Sequence, residues 1–139
     1  MKIFVYYVGK PRDAHANAMA EEYVKRCARY VQCEMREVKP GRFDPMDKHP
    51  SGTIILLDPA GKGYDSPQFT RLVGKAEQES RDLVFLVGGA EGLPEDWRKS
   101  QALLLSLSPL TYSHELARVM LAEQLYRALA GLRGHPYPK

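Results

Sequence analysis

Residues 106–114 read Ser-Leu-Ser-Pro-Leu-Thr-Tyr-Ser-His, five hydroxyls and an imidazole within nine positions. Such a stretch is poor material for a core and good material for a site. Hydroxyls both donate and accept hydrogen bonds, and an imidazole such as that of His114 exchanges a proton near neutral pH. Two further stretches share this character: 58–65 (Asp-Pro-Ala-Gly-Lys-Gly-Tyr-Asp) and 88–92 (Gly-Gly-Ala-Glu-Gly). Their glycines let backbone approach a ligand closely, and Leu57, Leu107 and Leu110 supply apolar flanks. That combination suits a flat, mostly neutral group such as adenine with its ribose, read by backbone amides and carbonyls. The same residues also make ordinary tight turns.

Other chemistries find no support in the spacing. The chain has no GxxxxGK[ST] phosphate loop, 88–92 is not GxGxxG, and no GxSxG elbow is present. His15, His49, His114 and His135 are scattered without a pair at metal-ligand spacing, so no metal is expected. Cys27 and Cys33 form no CxxC and read as free thiols.

The elements that must hold these loops follow from periodicity. Residues 2–8 are a continuous apolar run closed by Gly9 and Pro11, which suits a strand buried on both faces. Asp13 caps a helix over 14–30, with apolar residues at three- and four-residue spacing, and 31–38 alternates as a strand with one face less covered. Three prolines and two glycines make 40–52 a loop. A buried strand over 53–57 precedes a helix expected to start with Ser66 as its cap and Pro67 in the first turn, and to run to about Ser80. A strand over 83–87 and a short helix over 94–101 come next. A strand over 103–105 then leads through the opening stretch into a helix over 115–132. Strands alternating with helices predict an α/β fold, a parallel sheet with helices on both faces, in one domain over 1–139. The three site-like loops then leave the carboxyl ends of strands, where such sheets bind ligands.

The last helix is apolar around most of its circumference, from Leu116 through Met120 and Leu125 to Leu132. One side can face the sheet; a twofold partner is the natural cover for the other, so a homodimer is expected.

The totals are compatible with this picture. With 139 residues, 44% hydrophobic and 27% charged, the chain is of single-domain size and ordinary globular composition. No run approaches the roughly 20 apolar residues of a membrane span, and residues 1–3 lead straight into a strand, so a soluble cytoplasmic protein is expected. A net charge of +3 permits an anionic partner. After Glu123 no acid follows, while Arg127, Arg133, His135 and Lys139 do, giving a basic end that is either a solvated tail or a phosphate contact.

Taken together, 88–93 (Gly-Gly-Ala-Glu-Gly-Leu), 105–114, 118–128 (Arg-Val-Met-Leu-Ala-Glu-Gln-Leu-Tyr-Arg-Ala) and His135-Pro136-Tyr137 closely resemble the RlmH family of SPOUT methyltransferases. Leu56-Leu57-Asp58 with Gly61-Lys62 and Ser66-Pro67-Gln68 resembles that family's middle loop, and Val8-Gly9-Lys10 its first strand end. The resemblance covers essentially the whole chain. It implies a SPOUT fold with a C-terminal trefoil knot, an obligate homodimer, and S-adenosylmethionine held in the knotted loops. The implied reaction is methylation of N3 of a pseudouridine in the helix 69 loop of 23S rRNA on assembled ribosomes. Carried over by position, the cofactor contacts are Leu57, Gly88, Leu107, Ser108, Pro109, Leu110, Thr111 and Tyr112. Two departures stand out: 39–52 is shorter than usual and replaces a helix with proline-rich loop, and the tail ends Tyr137-Pro138-Lys139 where relatives often place a histidine after the tyrosine.

Removing the imide proton of the acceptor calls for a base within hydrogen-bond reach. His114 is the first candidate and Glu91 the second, beside a solvent-assisted transfer with no dedicated base. Arg118, costly to bury unpaired, is expected to face the site or the partner subunit, against Glu91 or RNA phosphate, or else to form an ordinary buried ion pair. Arg133, His135 and Tyr137 are candidates to close over a flipped-out base, with Tyr137 stacking on it. A SPOUT enzyme with another RNA acceptor and a non-catalytic ribosome-binding module remain the alternative function classes.

Overall fold

In the computed structural model, which describes residues 1–100, 102–135 and 137, the chain forms five parallel strands and five helices. The strands are β1 (Ile3–Val8), β2 (Cys33–Val38), β3 (Thr53–Gly63), β4 (Leu83–Val87) and β5 (Leu103–Ser106). They lie in the order β2-β1-β4-β3-β5. The helices are α1 (Ala14–Cys27), α2 (Pro45–Lys48), α3 (Ser66–Gln78), α4 (Glu95–Arg98) and α5 (His114–Leu132).

The alternation of side chains along the strands divides the core in two. Ile3, Val5, Ile55, Leu83, Phe85 and Leu105 face one way, against Cys27 of α1, Phe69 and Val73 of α3, and Leu121, Leu125 and Leu129 of α5. Each such fully buried aliphatic side chain stabilises the fold by roughly 1.5–3 kcal/mol. Tyr6, Leu56, Val84 and Leu86 face the other way, onto Trp97 of α4 and the partly buried Phe43 and Met46. The three long helices thus share one face, and among the described residues the other is covered by α2, α4 and their loops. On this thinner side the buried Tyr6 hydroxyl is satisfied by His49 Nε2 at 2.8 Å.

Several local expectations need correction. α1 stops at Cys27, three residues early, and α3 is capped by Asp65 rather than Ser66. The reason is a capping box: the Asp65 carboxylate accepts from Gln68 N–H at 2.8 Å while the Gln68 side chain accepts from Asp65 N–H at 2.9 Å. This leaves Ser66 and Pro67 as the first two helical residues. Segment 40–52 is not all loop. It holds a 3₁₀ turn at Pro40–Arg42 and the one-turn helix α2, whose first amides bond the Asp44 carboxylate. The short helix expected over 94–101 is confined to Glu95–Arg98; Gln101 lies outside the described residues.

β3 runs well beyond Leu57. It pairs with β5 at Ile55 to Leu57, bulges, and pairs again where Lys62 meets Leu105 and Gly63 meets Ser106. The skipped residues, 58–61, are the first half of the site-like stretch 58–65, whose Lys62 and Gly63 belong to the strand rather than to a loop. Much of the apolar circumference of α5 is covered by α1 and α3, with Val119 against Ala16 and Ala20. Leu116 (52% exposed) and Met120 (40%), one turn apart, stay open.

Candidate active site

The carboxyl ends of β3, β4 and β5 surround a cavity of about 400 Å³. Its walls are the three loops singled out by composition. Leu57, Asp58 and Pro59 come from the β3 bulge; Val87 to Ala90, with Gly92 and Leu93, leave β4; Ser106 to Ser108 and Leu110 to His114 leave β5. A volume in the range of small-ligand sites, apolar walls and a few polar groups give it the character of a nucleoside pocket.

Hydroxyls in the third wall are largely spent on its shape. Ser106 Oγ donates to the carbonyl of Ser108 at 2.9 Å, and Ser108 Oγ accepts from Leu110 N–H at 3.0 Å. Ser113 caps α5, its Oγ accepting from Leu116 N–H at 3.2 Å. These bonds hold 106–113 in one conformation and bring Thr111, Tyr112 and His114 to the cavity. The helix begins one residue earlier than expected, so His114 is its first residue and lines the wall.

The second wall depends on Gly88. A Cβ there would stand 2.7 Å from the carbonyl carbon of Gly92 and 2.9 Å from Leu93 N, so the turn closes only without a side chain. Gly92 takes a positive φ of 82°, and an antiparallel bridge joins Gly89 to Gly92. The result is a tight loop that presents backbone to the cavity.

Of the eight positions expected to hold the cofactor, Leu57, Gly88, Leu107, Ser108, Leu110, Thr111 and Tyr112 line the cavity; Pro109 does not. Glu91 sits between wall residues but is exposed and outside the lining. Arg118 does not reach the cavity, and its partner is not Glu91. Its side chain is buried (1% exposed), with the guanidinium 3.8 Å above the ring of Tyr7, Nη1 donating to Asn17 Oδ1 at 3.2 Å, and Nη2 3.6 Å from Glu115. It fastens α1 to α5 and β1, which is the plain buried-pair alternative.

Neither Arg133, His135 nor Tyr137 lies over the cavity of its own chain. Arg133 grips the carboxylate of Glu77 on α3, with Nη1 donating at 2.9 Å. That pairing holds the Glu77 carboxyl below its ordinary range. His135 Nδ1 meets the Tyr30 hydroxyl at 3.2 Å, and Tyr137 donates its hydroxyl to Tyr23 at 3.2 Å under the guanidinium of Arg127. Pro136, Pro138 and Lys139 lie outside the described residues.

Two wall residues, Asp58 and Arg98, received no role from the sequence. Asp58 is 6% exposed; Oδ1 accepts from Ala60 N–H at 2.8 Å, and Oδ2 lies 2.6 Å from Arg98 Nη1. The guanidinium approaches off the N–H axis, so the contact is an ion pair while Oδ2 lacks an aligned hydrogen bond. A single Asp after a strand and a single Arg on a short helix carry no spacing signal that would link them.

Among the described residues, no group of three or more His, Cys, Asp or Glu side chains is arranged to hold a metal ion, and no helix is long and apolar enough to cross a membrane.

The profile of the family described as "Predicted SPOUT methyltransferase" matches residues 1–138. The ribosomal RNA large subunit methyltransferase H of Solibacter usitatus is 56% identical over 137 residues, 99% of either chain. A Thermus thermophilus protein of the same name is 42% identical over 137 residues, 99% of this chain and 98% of the other. Among solved structures, TrmJ of Z. mobilis superposes with a TM-score of 0.56 at 10% identity, covering 91% of this chain and 69% of that one. An AdoMet-bound rRNA methyltransferase of Sinorhizobium meliloti gives 0.53 at 10% identity, covering 91% and 56%. At such identities these two likenesses concern the fold alone.

Proposed function

Because the chain belongs to the SPOUT methyltransferase family and matches its large-subunit rRNA methyltransferase H members over its whole length, we propose that it methylates 23S rRNA. In this reading the donor is S-adenosylmethionine, the acceptor is N3 of the helix 69 pseudouridine on assembled ribosomes, and the enzyme works in the cytoplasm as a knotted homodimer. The observation that carries the reading is the cavity itself: seven of the eight motif positions for the cofactor converge on one apolar pocket at the strand ends.

The residues present fit the cofactor. Leu57, Leu107 and Leu110 offer flat apolar surface for adenine, the glycine loop at 88–92 leaves its space to the ligand, and exposed peptide groups can read the base edge. When bound, S-adenosylmethionine supplies an electrophilic methyl group on a sulfonium sulfur. The chain then contributes position and proton handling. Fixed loops hold the reacting centres in line, a contribution of about 7–11 kcal/mol in the best intramolecular cases. His114, at the wall, takes the imide proton of the acceptor nitrogen; general-base help of this kind is worth roughly 10²–10⁴-fold. Glu91 and Arg118 are weaker candidates for direct action, since neither lines the cavity of its own chain.

The dimer is supported by Leu116 and Met120, apolar side chains left open one turn apart on α5. In a twofold pair, Arg133, His135 and Tyr137, which turn away from their own cavity, serve RNA bound at the partner's by exchanging their contacts with Glu77, Tyr30 and Tyr23.

The decisive experiment is methyl transfer to ribosomes lacking the modification, with His114→Ala beside wild type across pH. Wild-type transfer to the helix 69 loop and a large loss of rate in the variant are expected. Calorimetry showing no S-adenosylmethionine binding would sink the enzyme reading, and full variant activity at every pH would remove His114 as base. A monomeric mass by light scattering at micromolar concentration would count against the dimer.

A further inference from the structure

The loop joining β1 to α1, residues 9–12, is built into the rim of the cavity at both of its ends. At its start, the wall residue Gly89 packs so closely on β1 that a Cβ there would lie 2.8 Å from the carbonyl oxygen of Val8. At its finish, Arg12 N–H and Asp13 N–H both donate to Glu115 Oε1, at 2.6 and 3.0 Å. Glu115 follows directly on the wall residue His114. The loop therefore spans the rim from the second wall to the third. Gly9, with φ of 96°, makes the turn that lets it do so.

This loop carries two cations and no acid: Gly-Lys-Pro-Arg. Lys10 and Arg12 are exposed, and neither makes an ion pair among the described residues. The neighbouring acids are engaged elsewhere: Glu115 accepts from backbone donors and faces Arg118, and the Asp13 carboxylate caps α1 by accepting from His15 and Ala16 N–H. A surface lysine alone means little. Two unpaired cations on a loop fixed at both ends, against the walls that hold the reacting groups, form a placed positive edge.

We infer that Lys10 and Arg12 are the phosphate-contacting edge of the substrate site, engaging the RNA backbone beside the nucleotide that enters the cavity. Phosphate contacts set register and carry no sequence information, so their work here is to fix the acceptor base over the pocket. Glu115 is a positioning residue: it couples the cationic loop to the helix that begins with His114, so the phosphate grip and the proton acceptor keep one spacing. The inference rests on the RNA-methyltransferase reading above.

The test is binding to ribosomes lacking the modification, measured from 50 to 200 mM KCl, for wild type, Lys10→Ala, Arg12→Ala, the double variant and Lys10→Glu. Each phosphate contact contributes about 0.9 to the slope of log affinity against log salt, and somewhat less on a single strand. Each alanine variant should therefore flatten the slope by about one and weaken binding roughly eightfold near 0.1 M salt, with the double variant near the sum and Lys10→Glu worse than Lys10→Ala. Both side chains are exposed, and Arg12→Ala keeps the backbone N–H that Glu115 accepts. S-adenosylmethionine affinity by calorimetry should thus remain at the wild-type value. A wild-type slope in the double variant overturns the inference alone. A wild type that binds cofactor but has no affinity for ribosomes overturns it together with the substrate reading.

Discussion

Arg98 Nη1 lies 2.6 Å from Asp58 Oδ2, which ties the short helix α4 to the bulge of β3 across the cavity wall. The two ends of this bond differ in environment: Asp58 is 6% exposed and the Arg98 side chain 43%. A fully buried pair broken on one side costs about 3–5 kcal/mol, and solvent at the guanidinium reduces that here to roughly 1–2 kcal/mol. Arg98→Ala should lower the urea midpoint accordingly and weaken cofactor binding in calorimetry. Asp58→Asn with Arg98→Ala should cost less than the two singles added; strict additivity would mean that the pair contributes nothing.

Arg118 is expected to matter for stability in a way its charge alone does not explain. Arg118→Ala leaves a void under Tyr7 and removes one partner each from Asn17 and Glu115, for a loss of about 3 kcal/mol. Arg118→Lys should recover little, because an ammonium cannot both stack on the ring and reach Asn17. Arg118→Met should be milder than Arg118→Ala, since Nε already lacks a hydrogen-bond partner and a well-packed apolar chain loses less. Chemical denaturation of the three variants gives the ranking.

Stability should acquire a specific acid dependence from Glu115. Backbone donation from Asp13 and Arg12 holds its carboxyl below the ordinary value of 4.5, with the guanidinium of Arg118 adding to the effect. A depressed folded-state pKa means that the stabilisation is complete above 4.5 and disappears as pH falls through the lower folded value. Glu115→Gln should therefore be less stable than wild type at neutral pH. The gap should narrow as the two denaturation midpoints are followed down from pH 5 toward pH 3, and a gap constant with pH would contradict the assignment.

At Gly88 the prediction concerns the cavity directly. Gly88→Ala must push the 88–92 turn away from Gly92 and Leu93, where the clash is with backbone rather than with a flexible side chain. Calorimetry should show cofactor affinity reduced by more than tenfold. Gly63→Ala is the control, since its Cβ would meet nothing within 4 Å, and it should bind normally.

What could be read ahead of the structure, and what could not, divides along a physical line. Continuous apolar runs such as 83–87, too short for a helix and closed by glycines, announced buried parallel strands, and the three strand-ending loops announced the cavity. Caps were harder. Asp65 and Ser66 are both good capping residues, and only the reciprocal bond from Gln68 decides between them. The bulge after Leu57 depends on pairing with β5, about fifty residues away. Arg118 was legible as an expensive burial but not as a partner of Tyr7, because that contact joins residues 111 positions apart (118 − 7). The Asp58–Arg98 pair was invisible for the same reason.

The strand order carries a consequence for how the chain acquires this shape. β4 lies between β1 and β3, so residues 83–87 must enter a gap whose two sides were synthesised earlier. Each neighbour of a strand is reached through a long crossover, and no seam is a local hairpin. Such a sheet is dominated by non-local pairings and belongs among the slow folders of its size. Until β4 arrives, Ile3, Val5 and Ile55 have an unfilled slot beside them. The interval between synthesis of β3 and insertion of β4 is therefore when the nascent chain is most exposed to aggregation.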